Sequence, residues 1–157
     1  MRRLNFKELW DLKTAIAGSI DNHIVKRKAL LSKFKDLDIE KITEKFSFKT
    51  MCSDAPEFCP MTAKNKLCHD LTDETLNCYG CICPDYDLEI GFDEKQKLYK
   101  IGFCRINSKF GMYKLTQTQG QIPKKYLILS CINCKTPHNN VFIKKQIIND
   151  LKKLSAD

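Results

Sequence analysis

The chain has 157 residues, nine cysteines, three histidines and a formal net charge of +8. That length fits one domain, or one domain with an appended arm, and no apolar run approaches the length of a bilayer span, so no membrane segment is expected. The opening Met1-Arg2-Arg3-Leu4-Asn5-Phe6 leads into charged Lys7 and Glu8 without an apolar stretch; no signal peptide is expected, and the reading is a cytoplasmic protein. In a reducing compartment nine thiols, an odd number, favour metal ligation over a disulfide framework.

The charge is unevenly spread. Residues 1–50 carry 12 basic and 7 acidic side chains, residues 51–94 carry 2 and 10, and residues 95–157 carry 13 and 2. The acidic middle holds most of the cysteines. The basic C-terminal third is a candidate surface for nucleic acid or for an acidic protein partner; a solvated lysine-rich surface is the plainer alternative.

In chain order, residues 4–34 read as helix. Leu4, Leu9, Leu12, Ile16, Ile20, Ile24 and Leu31 fall near one face, with Trp10, Ala15 and Val25 close by. Asn5 caps the start and Glu8 completes a capping box. Gly18 and Ser19 are expected to kink or split the segment, with Asp21 capping a second piece. Asp36-Leu37-Asp38 opens a short helix through Phe46, striped by Ile39, Ile42 and Phe46. Residues 47–76 read as irregular, with Pro56 and Pro60, and need a staple to be ordered. Strands are expected over Lys97–Phe103, Met112–Thr116 and Tyr126–Leu129, punctuated by Gly102, Gly111 and Gly120. Asn139 or Asn140 caps a final helix striped by Ile143, Ile147, Leu151 and Leu154. The expected fold class is α+β: an N-terminal helical arm over 1–46, then over 47–157 a small loop-rich, metal-stapled module with a short antiparallel sheet and a C-terminal helix.

The chemistry is concentrated in two segments. Asn77-Cys78-Tyr79-Gly80-Cys81-Ile82-Cys83-Pro84 places three thiols in six residues. The Cys-x2-Cys spacing of Cys78 and Cys81 lets two sulfurs meet one metal across a tight turn, and Gly80 is expected to supply a positive φ there. Cys83 follows after one residue and joins the same centre or begins another. A disulfide closed within so short a span would be strained. Cys131-Ile132-Asn133-Cys134-Lys135-Thr136-Pro137-His138 is a second Cys-x2-Cys with an imidazole four residues on. Cys59, Cys68 and Cys104 complete the candidate ligands. Cys52 and His69 are left without an assigned role, since His69 competes with adjacent Cys68 for one position. Four-ligand sets of cysteine with histidine are common at structural zinc sites. The candidates suffice for two zinc sites or for one zinc and one iron–sulfur cluster.

The ordered set Cys68-His69, Asn77-Cys78-x2-Cys81-x-Cys83-Pro84, Cys104, Ser130-Cys131-x2-Cys134 and Pro137-His138 resembles the prokaryotic cysteine-rich small domain family, also described as zinc-finger-like, over about residues 59–150. The resemblance implies metal binding and carries no settled activity.

Three functions follow. A non-catalytic metal module would use ligation to fold a scaffold for a protein or nucleic-acid partner. An iron–sulfur protein would transfer electrons or sense oxidants; Cys83-Pro84 is similar to the end of a ferredoxin run. A metalloenzyme would need an open coordination position and a general base, and none of Asp85, Asp87 and Glu89 is marked as that base. The first is the leading reading, with zinc ahead of iron–sulfur. For nucleic acid, the candidate contacts are Lys109, Lys114, Lys124, Lys125, Lys135, Lys144 and Lys145, with Tyr113 and Tyr126 as stacking platforms.

Overall fold

A computed structural model describes residues 4–119 and 124–156; Gly120 lies outside them. The chain divides into two compact units. One, the sheet unit, comprises Met1–Ile20 and Pro84–Cys134. The other, the helical unit, comprises Asp21–Cys83 and Lys135–Asp157. Both take residues from α1 (Phe6–Phe34), which runs unbroken through Gly18 and Ser19. The expected split does not occur: one glycine costs a helix about 1 kcal/mol, too little to break a segment of good helix formers. Ser19 instead turns its hydroxyl onto the Ala15 carbonyl at 3.2 Å. Asn5 and Glu8 form the capping box, each side chain accepting from the other's backbone N–H at 2.9 Å.

In the sheet unit, β1 (Tyr86–Asp93), β2 (Leu98–Cys104), β3 (Met112–Gln117) and β4 (Lys125–Ser130) form one sheet in the order β1-β2-β4-β3. The sheet is mixed rather than antiparallel: β1–β2 and β3–β4 are antiparallel, and β2–β4 is parallel, with Ile101 opposite Ile128. β1 was not expected as a strand, because its acids Asp87, Glu89 and Asp93 and a register shift between Asp87 and Ile90 blur the alternation. Leu4, Leu9, Ile101 and Tyr126 form the core of this unit, flanked by Leu12, Ile16, Leu88, Ile90, Tyr99 and Ile128. Trp10 and Ala15 fall off that face and are exposed.

In the helical unit, α2 (Ile39–Lys45) starts at the Asp38 cap, whose side chain accepts from Lys41 N–H. A second short helix, α3 (Phe48–Asp54), is capped by Ser47, and α4 (Pro60–Ala63) by Cys59. Both lie in the stretch expected to be irregular. Burial of Phe48 and Met51 holds α3 in place despite its length. α5 (Asn140–Leu154) starts at the Asn139 cap, and Ile143 and Ile147 are buried as expected. These side chains join Leu31, Ile42, Phe46, Phe58, Leu76 and Tyr79 in one core, onto which Cys52, Cys59, Cys68 and Cys81 pack. Among the described residues no helix is long and apolar enough to cross a membrane.

Candidate metal centre

The centre of the helical unit is built on the segment Leu76-Asn77-Cys78. It pairs with the α2–α3 junction: Phe48 N–H donates to the Leu76 carbonyl at 2.8 Å, and Cys78 N–H to the Phe46 carbonyl at 2.7 Å. Asn77 is buried, and both ends of its side-chain amide are hydrogen-bonded. Its amide donates to the Thr43 carbonyl at 2.8 Å, and its side-chain oxygen accepts from Tyr79 N–H at 3.0 Å. That last bond caps a 3-10 turn over Cys78–Cys81.

Gly80 closes this turn for a reason other than a positive φ, which Gly102 alone among the described glycines adopts. A Cβ on Gly80 would lie 1.9 Å from the Pro137 carbonyl oxygen. The missing side chain lets the 3-10 turn Thr136–His138 approach the cysteine turn. Arg27 holds the other side. Its guanidinium donates to the carbonyls of Tyr79 at 2.9 Å and Ile82 at 3.3 Å, and lies 4.9 Å from the centre of the Tyr79 ring. The Tyr79 hydroxyl donates to Asp150 at 2.7 Å.

Cys68, His69 and Cys81 offer donor atoms that all lie within 4.8 Å of one another. The Cys68 and Cys81 thiols are hydrogen-bonded to each other, and Cys81 also to Cys78. The Cys68 thiol is pushed up by its bond to Cys81, then by burial and by the Cys81 charge. For Cys81 the bond from Cys68 acts downward, and is outweighed by the bond to Cys78, burial and the neighbouring Cys78 and Cys59 charges. So many sulfurs in one place resist ionising together; a divalent cation is what makes several thiolates tolerable. Cys59 contributes at the edge. As the cap of α4 its sulfur accepts from Thr62 N–H at 3.5 Å. Cys52, half-buried on α3, has its thiol raised by burial and by Cys59.

His138 is buried, and its Nδ1 lies 2.8 Å from the Asn77 carbonyl oxygen. A carbonyl accepts, so Nδ1 carries the proton and Nε2 the lone pair. That Nε2 is buried with no hydrogen-bond partner. The ring centre lies 4.3 Å from that of His69. Burial first, then the His69 charge, lowers the His138 pKa to about 4 against the Asn77 bond, so the ring is neutral near neutrality. An imidazole oriented by a backbone carbonyl, with a bare inward nitrogen, is the usual form of a metal ligand. His23 has a similar bare Nε2 and a pKa lowered to about 4 by burial, Arg27 and Lys26. It faces the Phe58 ring at 4.4 Å rather than a thiol group.

The candidate ligands thus separate. Cys59, Cys68, Cys78, Cys81 and His138 lie in the helical unit, as does half-buried Cys83, which is outside the three-donor group. Cys104, Cys131 and Cys134 lie in the sheet unit, so the Cys131–His138 segment is divided between the two. In the sequence His69 competes with adjacent Cys68 for one position; in the fold the backbone at 68–70 is bent, and both side chains reach one place. None of the nine cysteines is in a disulfide.

The nucleic-acid contacts also separate. Tyr126 is buried, Lys124 pairs with Glu8, and Lys144 pairs with Glu40 at 2.6 Å. The exposed aromatics of the sheet unit carry lysines: Lys100 lies 5.4 Å from the Tyr113 ring centre and Lys109 5.3 Å from that of Phe110.

No protein-family model, no curated protein and no solved structure matches this chain.

Proposed function

We propose that the protein is a cytoplasmic, non-catalytic metal module in which a zinc ion held by Cys68, His69 and Cys81 organises the helical unit. The observation that carries this reading is the convergence of those three donors within 4.8 Å on a bent, core-anchored backbone. The fourth ligand is drawn from the thiol of Cys78 or from Nε2 of His138. The mixed sulfur–nitrogen donors favour zinc, which is commonly held by cysteine with histidine. The resemblance to the zinc-finger-like cysteine-rich small domains points the same way. An iron–sulfur cluster is the second reading, favoured by the four neighbouring thiols of Cys59, Cys68, Cys78 and Cys81.

Metal analysis and visible absorption of anaerobically purified protein separate the two. Zinc without visible colour is expected, and a brown protein with iron and sulfide would replace this reading by the second. Cobalt substitution then counts thiolates: three if Cys78 completes the set, two if His138 does. Cys68→Ser and Cys81→Ser are each expected to weaken binding at least tenfold, and retention of full affinity in both would end the proposal. Because thiols must lose protons to bind, affinity is expected to fall with falling pH.

A partner is the task such a scaffold would serve. The lysine–aromatic pairs of the sheet unit favour single-stranded nucleic acid, whose bases stack on exposed rings while lysines meet phosphates; an acidic protein surface is the alternative.

A further inference from the structure

A second group of thiols gathers within the sheet unit, made of cysteines outside the set assigned above. Strand order explains how. In the parallel β2–β4 pair both strands end at the same end of the sheet. Cys104 is the last residue of β2, and Cys131 follows Ser130, the last residue of β4. The antiparallel β1–β2 pair brings Tyr86 opposite Cys104 at this end. Three side chains far apart in sequence therefore emerge together.

The loops after both strands turn sulfur toward this end. Asn107 takes φ 47°, a left-handed conformation that asparagine tolerates better than most residues. The turn it makes directs Ser108 N–H onto the Cys104 sulfur at 3.4 Å. The Ser108 hydroxyl lies 3.5 Å from the Cys134 sulfur, so one serine touches both. Cys134 N–H donates to the Cys131 carbonyl at 2.9 Å, closing the Cys-x2-Cys turn. Cys134 is buried and Cys104 half-buried.

We infer that Cys104, Cys131 and Cys134 form a second metal centre, for a thiophilic divalent cation such as Zn2+, with Ser108 positioning two of the sulfurs. Each thiol releases its proton to solvent as its sulfur binds, and no electron moves. The fourth position falls to a donor beyond these three. The three sulfurs do not all lie within 4.8 Å of one another, as the donors of the first group do, so the side chains rotate inward as the ion binds.

The test is a titration of reduced, full-length, metal-free protein with Co2+ and then Zn2+ under anaerobic conditions. Two equivalents are expected to bind. Cys104→Ser, Cys131→Ser and Cys134→Ser should each remove one equivalent and spare the absorption that Cys68→Ser removes. If the Cys68 group does not bind metal, one equivalent remains, insensitive to Cys68→Ser and lost with Cys131→Ser, so the two centres fail separately. Two equivalents surviving in all three sheet-unit variants would overturn the inference. Should those variants misfold, alkylation of the unmodified chain decides: Zn2+ should slow labelling of Cys104, Cys131 and Cys134 at least tenfold, and equal labelling with and without Zn2+ overturns it.

Discussion

A methyl group on Gly80 would sit 1.9 Å from the carbonyl oxygen of Pro137 and 3.3 Å from Nδ1 of His138. The first contact is with backbone, which cannot swing aside as a side-chain tip can. Gly80→Ala is therefore expected to cost about 1–3 kcal/mol, the usual range for overpacking, and to fall at its upper end. It should also loosen metal binding, since His138 sits on the displaced turn. Denaturant midpoints of the zinc-loaded variant and parent protein check this; coincident midpoints would mean that the Thr136–His138 turn yields freely. The Cys-x2-Cys spacing was legible as a turn between two sulfurs. That Gly80 is needed for close approach rather than for a left-handed φ was not, because the segment pressing on it lies more than fifty residues away in the chain. His69 was hidden for a related reason: its reach depends on a local bend that no nearby residue announces.

Elements with their own caps were the readable ones. Asn5 with Glu8, Asp38, and Asn139 each mark a helix start by a side chain that accepts from the backbone two or three residues on, a strictly local signal. α3 was missed because its seven residues are held by burial of Phe48 and Met51, a tertiary effect. The parallel β2–β4 pairing was missed because β4 inserts between β2 and β3, and neighbours in sequence say nothing of such an insertion. Gly18 shows the limit of reading breakers. It lies inside α1, is exposed, and an added Cβ there meets nothing within 4 Å. Gly18→Ala is accordingly expected to stabilise the protein by about 0.5–1 kcal/mol, by restricting the unfolded chain and improving helix propensity. Urea unfolding with an unchanged slope and a higher midpoint is the outcome to look for; a lower midpoint would place α1's exposed face in a contact that a methyl group disturbs.

At the scale of the whole chain, charge is the property that reaches furthest, and pairing decides how much of it is available. Net charge is +8, with 13 basic and 2 acidic side chains after residue 94. Two of the seven candidate lysines are engaged, Lys124 by Glu8 and Lys144 by Glu40, and Tyr126 is buried. What the fold adds is two lysine–aromatic pairs, Lys100 over Tyr113 and Lys109 over Phe110, with both rings partly exposed; exposed Lys114 follows Tyr113 on β3 and so projects from the opposite face. If single-stranded nucleic acid binds here, each phosphate contact releases counterions, and log affinity falls with log salt by about 0.7 per contact. Two lysines predict a slope of about −1.4, and replacing Lys100 or Lys109 by alanine should each flatten it by about 0.7, while Lys114→Ala should leave it unchanged. Tyr113→Ala should instead weaken binding by about 1–3 kcal/mol with the slope unchanged, since a stacked base carries no counterion. Fluorescence titrations of labelled single-stranded DNA and RNA across a salt series separate the two effects. Absence of binding at low salt and micromolar protein would remove nucleic acid and leave an acidic protein surface as the partner for the same lysines.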